Sequence, residues 1–493
     1  MDTTRNILDT QGYFWWRDEK IPDGQFAPPN PITGHLTISS DGTAQLELDG
    51  ILPAPGHQIE RLFANNSTRR ISRPIQGIIK SNGQHVLLVD AIRSGGSLST
   101  NRFSYERYFS TMCLVGKREF PRTIDLPRFS EFEIDLTGFE GWLRHGTLEV
   151  SRTRRTLSIK TRAVRDIVYN TVAGKLTLRQ NTELPDSVPV HLFELHAREF
   201  VTLSLKPKSA ITSDAVRSEF SVLQDLMIVL TDSHYPLEWP TVRVARTEKR
   251  YTLYFSRSTS SASPPEPHGL PTNFPQLQET FGDLFSAWRS KREKFGAGFH
   301  SYVGTRRGIE LYVENRFINL VQGLESFHRT KYSDQPVSSA LQEKVKRIVE
   351  QIKLSKDRRW LEDALRHARE PRLEHRLLDL LSALPHDLES DRLRKFSTDC
   401  AHLRNDLAHF GGQRIREQSS DVLVEIDAKS DALSLFYHMT LLSEIGIDDQ
   451  SLRQWLHEAF GSITRKAALV EVDLMLGNAR QPKSHGRAVR HNT

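Results

Sequence analysis

The sequence predicts an α+β chain of more than one domain, with a β-rich, sandwich- or barrel-like domain first and an all-α bundle after it. Three observations carry this. The chain has 493 residues, more than one ordinary domain holds, so two or three domains are expected. The spacing of apolar residues changes from about two to about 3.6 near the middle of the chain. Between the two patterns lies Ser258-Thr-Ser-Ser-Ala-Ser-Pro-Pro-Glu-Pro267, a small, polar, proline-rich stretch that cannot bury apolar area. The expected division is a β-rich domain over 1–257, a linker or exposed loop over 258–273, a helical domain over 274–480 and a basic disordered tail over 481–493.

The first half is built from short runs separated by Gly, Pro, Asn and Asp. Leu36-Thr-Ile38, Ala44-Gln-Leu-Glu-Leu48 and Val86-Leu-Leu-Val89 have strand character, and Phe132-Glu-Ile-Asp-Leu136 alternates apolar with acidic as a half-exposed strand does. Leu176–Leu178, Val190–Phe193 and Tyr251–Phe255 continue the series, and a helical insert is expected near Ser213 to Leu230. Such spacing suits a sandwich or barrel. In the second half Phe317, Leu320, Val321, Leu324 and His328 fall on one helical face. Leu341–Ile352, Trp360–Leu384 (ended by Pro385), a stripe of Leu393, Phe396, Cys400, Leu403 and Leu407, Asp431–Ile445 and Leu452–Phe460 complete the expected bundle. Residues 481–493 are basic, with Val489 their one large apolar residue.

Composition narrows the function classes. With 38% hydrophobic and 26% charged residues the chain reads as soluble and globular. The longest apolar runs, such as Leu226–Leu230, are too short to span a bilayer. Met1–Arg5 is not followed by an apolar signal region, so no secretion signal is expected. Cys113 and Cys400 are isolated, which excludes a disulfide framework or a zinc knuckle and fits a reducing cytoplasm. A net charge of +6 permits a polyanionic partner, but soluble proteins often carry such charge for solubility alone.

One segment carries chemistry: Phe396-Ser-Thr-Asp-Cys-Ala-His-Leu-Arg404-Asn405-Asp406-Leu407-Ala408-His409-Phe-Gly411-Gly412. Its Arg-x-x-x-x-His spacing is unspecific, since about two chance matches are expected in a chain of this composition. Two occur, Arg404/His409 and Arg480/His485, and the second contains Pro482 at the edge of the basic tail. The first lies on an amphipathic helix that Ser390 or Asp391 can cap and Gly411-Gly412 can end. His409 then falls in the last turn, where the helix dipole favours imidazolium and raises its pKa. Arg404 flanks the apolar stripe, while Asn405 and His409 lie nearly opposite it. Arg404 and His409 point about 140° apart, so one helix aims them poorly at a single phosphate, whereas two helices about a twofold axis can share a cleft. A homodimer with a composite site is therefore expected. Internal attack by a ribose 2′-hydroxyl needs a base, an acid and a stabilised phosphorane. His409 suits the proton transfers, Arg404 the phosphate, and Asn405 can orient His409 or bind phosphate. This chemistry calls for no metal and no cofactor. On composition alone, an arginine and a histidine on an exposed helix face are ordinarily plain surface.

The arrangement resembles the ApeA-like HEPN group of bacterial anti-phage defence proteins. Arg404-Asn405-x-x-x-His409 before a glycine pair, the upstream helix Glu314-Asn-Arg-Phe-Ile-Asn-Leu-Val-Gln-Gly-Leu-Glu-Ser-Phe-His328 and a Trp288-centred segment carry the likeness in the helical half. Gly34-His-Leu-Thr-Ile, Leu46-Glu-Leu-Asp-Gly50 and Phe139-Glu-Gly-Trp142-Leu143 carry it in the β-rich half. The resemblance implies a dimerising helical domain that cleaves RNA without metal, with Arg404, His409 and Asn405 at the family's site positions, and toxic action during phage infection. Transfer RNA as substrate and a phage-derived trigger follow only by that analogy. The alternative is a non-catalytic HEPN dimerisation or adaptor protein whose β domain binds a phage protein or a carbohydrate. Nucleotidyl transfer lacks a glycine-rich loop or paired acidic motif. Among other residues, His328 reads as core, Glu325 as a surface acid or the partner of a cation near the site, and His402 as without role. Trp15-Trp16 reads as packing; Arg69-Arg70 and Arg152/Arg154/Arg155 read as solvated charge, or as phosphate contacts.

Overall fold

The structure, a computed structural model, describes residues 6–53, 72–97, 103–123, 125–144, 146–162, 164–183, 198–258, 262–307, 311–333, 339–364, 370–409 and 420–476. The side chains at 157, 339–342, 364, 409 and 420 also fall outside the description. The expected strand at Val190–Phe193, Arg69-Arg70, Gly411-Gly412, Arg480/His485 and the tail at 481–493 lie outside the described residues. Packing divides the chain into two units. One holds 1–267 and 272–286, the other 268–271 and 287–493.

In the first unit the strands are β1 (Leu8–Trp16), β2 (Ile32–Ile38), β3 (Ala44–Leu48), β4 (Ile75–Ile79), β5 (His85–Leu88), β6 (Ile92–Ser97), β7 (Tyr105–Ser110) and β8 (Met112–Gly116). They continue as β9 (Phe129–Asp135), β10 (Leu148–Arg152), β11 (Leu157–Thr161), β12 (Ile167–Thr171), β13 (Gly174–Glu183), β14 (Arg198–Pro207), β15 (Thr241–Val244) and β16 (Arg250–Phe255). Fourteen of them form one sheet in the order β12-β13-β14-β9-β15-β16-β8-β5-β4-β1-β2-β3-β7-β6, and β10 pairs with β11 alone. The alternation read from sequence holds: along β3, Ala44, Leu46 and Leu48 are buried while Gln45 and Glu47 are exposed.

Connectivity forces this sheet to curl. β7 and β8 stand six places apart in the ladder, so a flat sheet would separate them by about 29 Å. Only Thr111 lies between them in the chain, so Ser110 and Met112 are at most about 7.6 Å apart. The seven strands therefore wrap around a shared core of Phe14, Trp16, Leu36, Leu46, Ile75, Val86, Tyr108 and Cys113. Asp90 pins the corner, accepting from the Ser110 and Thr111 hydroxyls and, at 3.1 Å, from the Met112 amide. The wrap is barrel-like, but no ladder joins its ends, so the barrel is not closed among the described residues.

The expected helical insert is α2 (Ser213–Thr231), which follows the one-turn α1 (Glu140–Leu143). Thr212 caps α2 through the Ala215 amide, and burial on nearly every side of α2 explains its unbroken apolar run. Within the expected linker, Thr272 is buried, donating to the Leu230 carbonyl and accepting from the Trp142 indole. The short helix α3 (Phe274–Leu277) and the first residues of α4 (Phe281–Phe295) belong to this same unit.

The second unit contains the rest of α4, then α5 (Ala297–Arg306), α6 (Val313–Lys331), α7 (Ser339–Glu350), α8 (Ser355–Ala364), α9 (Leu373–Ser382), α10 (Ser390–His409), α11 (Ser420–Glu444), α12 (Asp449–His457) and α13 (Ser462–Glu471). The single helix expected over Trp360–Leu384 is instead two, α8 and α9. Pro371 stands between them, lacks an amide donor and disfavours helix at the residue before it. α10 begins at Ser390 with the Glu389 carbonyl accepting from Leu393, so Ser390 and Asp391 lie inside the first turn rather than capping it.

α6 is the hub, packed against α5, α9, α10 and α11. Its buried face is the predicted one: Phe317, Leu320, Val321, Leu324 and His328, with Gly323 and Phe327. Two glycines set how closely it is approached. A Cβ on Gly323 would lie 2.4 Å from the Tyr437 hydroxyl, itself donating to the Gly298 carbonyl. A Cβ on Gly298 would lie 2.8 Å from the Cα of Phe327, backbone that cannot swing aside. Gly298→Ala should therefore push α5 off α6 and cost about 1–3 kcal/mol. A denaturant melt of the helical unit checks this; an unchanged midpoint would show that the helices separate freely. No described helix is long and apolar enough to cross a membrane.

Candidate active site

α10 presents the motif. Leu393, Phe396 and Cys400 are fully buried against the bundle, and Leu403 and Leu407 are half-buried. The stripe thus faces inward as its spacing predicts, most firmly in the N-terminal half of the helix. Asn405 and His402 are exposed. Arg404, beside the stripe, leaves only 22% of its side chain accessible.

That shelter has specific partners. Nη2 of Arg404 lies 3.7 Å from Oε2 of Glu325 on α6. Nη1 donates to Oδ1 of Asn405 at 3.2 Å. Nε is buried and has no hydrogen-bond partner among the described residues. The other oxygen of Glu325 accepts from Arg329, at 3.2 Å from Nε and 2.9 Å from Nη2. Arg329 also pairs with Glu370, which accepts from Arg376 at 2.6 Å. An alternating chain thus runs Arg404–Glu325–Arg329–Glu370–Arg376 across α10, α6 and the start of α9. Among the described residues of this chain, three guanidinium groups face two carboxylates.

This arrangement fits an arginine that waits for an anion. A guanidinium has five donors in a rigid fork. Two of the three nitrogens of Arg404 are oriented by neighbours, the contact to Glu325 is too long for a strong hydrogen bond, and donor capacity remains. A group held this way loses little freedom when it grips phosphate.

His409 is the last described residue of α10, and its side chain lies outside the described atoms. Five residues of α-helix place its backbone about 7.5 Å along the axis from Arg404 and about 140° around it. His328, read as core, is buried and hydrogen-bonded to Asp379 at 3.1 Å. Burial lowers its pKa, against the opposing pull of Asp379. Of the two sequence readings of Glu325, the structure selects the partner of a cation at the site. Arg329, Glu370 and Arg376 were not singled out; the Glu325/Arg329 spacing of four was the available signal. Trp15 and Trp16 are buried as packing residues, whereas Arg152, Arg154 and Arg155 are exposed. Cys113 and Cys400 are both buried and free.

Two family models match the chain. ApeA N-terminal domain 1 covers residues 9–288, more than half of the 493. Apea-like HEPN covers residues 318–451, a range that contains Glu325, Arg404 and α10 entire. No curated protein and no solved structure matches.

Proposed function

The chain belongs to the ApeA-like HEPN family, and on that premise we propose that it is a metal-independent endoribonuclease acting in anti-phage defence by abortive infection. The observation that carries the proposal is the sheltered Arg404, held by Glu325 and Asn405 five residues before His409. In the proposed reaction His409 takes the proton of a ribose 2′-hydroxyl. The 2′-oxygen attacks the adjacent phosphorus, the bond to the 5′-oxygen breaks, and that oxygen leaves with the proton returned by the His409 imidazolium. The products are a 2′,3′-cyclic phosphate and a 5′-hydroxyl end. Arg404 neutralises the phosphorane as it forms. Asn405 orients His409 or binds a phosphate oxygen.

The working unit is a homodimer in the cytoplasm, with Arg404 of one chain and His409 of the other at each cleft. The substrate is RNA, with transfer RNA the first to examine. The β-rich unit is the regulatory or sensing part, responding to a phage-derived trigger.

Wild-type and His409→Ala chains expressed in cells, followed by sequencing of RNA 5′ ends, test this. New 5′-hydroxyl ends should appear with the wild type and fall by about 10²–10⁴ in the variant, the usual worth of a general acid–base group. Equal toxicity with no new ends from either protein would leave the adaptor reading in its place.

A further inference from the structure

The β10–β11 ribbon is the most concentrated charge among the described residues that the proposed reaction does not use. The ribbon and the few residues after it, 148–165, contain Arg152, Arg154, Arg155, Lys160, Arg162 and Arg165 against one acid, Glu149. Six positive charges and one negative leave this segment at +5, most of the net charge of the whole chain, +6. All six side chains are exposed, and none makes an ion pair or side-chain hydrogen bond among the described residues.

The charge is also held in shape. β10 and β11 pair antiparallel from Leu148↔Thr161 to Arg152↔Leu157, and the Arg162 amide donates to the Thr147 carbonyl, extending the pairing at the base. Glu199 of β14 anchors that base by accepting from the Thr147 and Leu148 amides. At the tip the Thr153 amide donates to the Thr156 carbonyl at 2.8 Å. The Thr153 hydroxyl accepts from the amides of Arg155 and Thr156 at 3.3 and 3.0 Å. These bonds fix the turn that projects Arg154 and Arg155. From base to tip the ribbon is about 20 Å long.

We propose that this ribbon is a nucleic-acid-binding arm whose Arg154–Arg155 tip grips the sugar–phosphate backbone. An exposed set of unpaired guanidinium groups on a fixed two-stranded frame matches phosphate oxygens, and Arg binds them bidentately. Self-repulsion among six cations is relieved when phosphates replace counterions. The arm's one acid, Glu149, lies near its base opposite Lys160, and the tip carries none. The choice of RNA over DNA rests on the nuclease reading; the backbone grip itself does not.

The test uses full-length His409→Ala protein, so that no probe is consumed, with and without Arg154→Ser and Arg155→Ser together. Binding of a fluorescent single-stranded RNA, the same sequence as DNA, and anionic lipid vesicles is measured over a range of salt. Loss of two phosphate contacts should reduce the slope of log K against log salt by about 1.4 for a single strand. Extrapolated from a salt-insensitive limit near 1 M, this weakens binding about tenfold at 0.15 M salt. Equal loss for RNA and DNA supports a backbone grip without sugar selection; loss for RNA alone supports an RNA arm. Unchanged RNA affinity and slope would overturn the proposal, as would a loss confined to vesicles. Because binding is read without turnover, its failure is distinguishable from failure of the nuclease assignment.

Discussion

Arg404→Ala should slow RNA cleavage at saturating substrate by about 10²–10³-fold, the cost of removing one preorganised donor at a developing charge. Arg404→Lys should regain little of this. An ammonium keeps the charge but loses the planar fork that Asn405 and Glu325 orient in the wild type. Glu325→Gln separates positioning from charge. It removes the carboxylate shared by Arg404 and Arg329, so the local potential becomes more positive and RNA should bind at least as tightly. The turnover number should still fall about tenfold, because Arg404 is no longer held. A fall in kcat without a rise in KM marks a positioning residue. A variant that lost the fold would lose both, and one that changed neither would exclude the role. Single-turnover cleavage of a labelled RNA with the three variants measures all of this.

How far the fold was legible from sequence depended on the range of each signal. Period and burial act locally, so β3, α2 and α6 emerged close to their observed limits from the alternation in Ala44–Leu48, the unbroken run ending at Leu230 and the Phe317–His328 stripe. The curl of the sheet did not, because it follows from which strands pair. That β7 continues through Thr111 into a strand six places away leaves no trace in the pattern of either strand. The misreading of Trp360–Leu384 as one helix had a local remedy. Apolar spacing persisted across Pro371, and the proline should have outweighed it.

The same distinction governs the site. Arg404 and His409 were visible because a helix sets their separation, and their opposite facing followed from the spacing alone. The partners of Arg404 were less so. Glu325 lies on another helix, and nothing in its own neighbourhood distinguishes an acid that steadies an arginine across a helix contact from one on open surface. The contact exists because α6 and α10 pack together.

Mixing two inactive chains should restore activity. In a dimer of Arg404→Ala with His409→Ala, a site drawing its arginine from one chain and its histidine from the other is whole once and empty once. Random reassortment makes half the dimers mixed, so about a quarter of wild-type activity should return. Sites contained within one chain would return none, since each chain lacks one of the two groups. The prediction rests on backbone geometry: α10 runs continuously as helix from Arg404 to His409, which turns the two Cα–Cβ directions about 140° apart. A phosphate against the Arg404 side of α10 therefore needs its imidazole from another helix. Co-refolding the two variants and assaying cleavage against each alone decides between shared and self-contained sites. A null result from a mixture shown by mass to contain the heterodimer would remove the composite site.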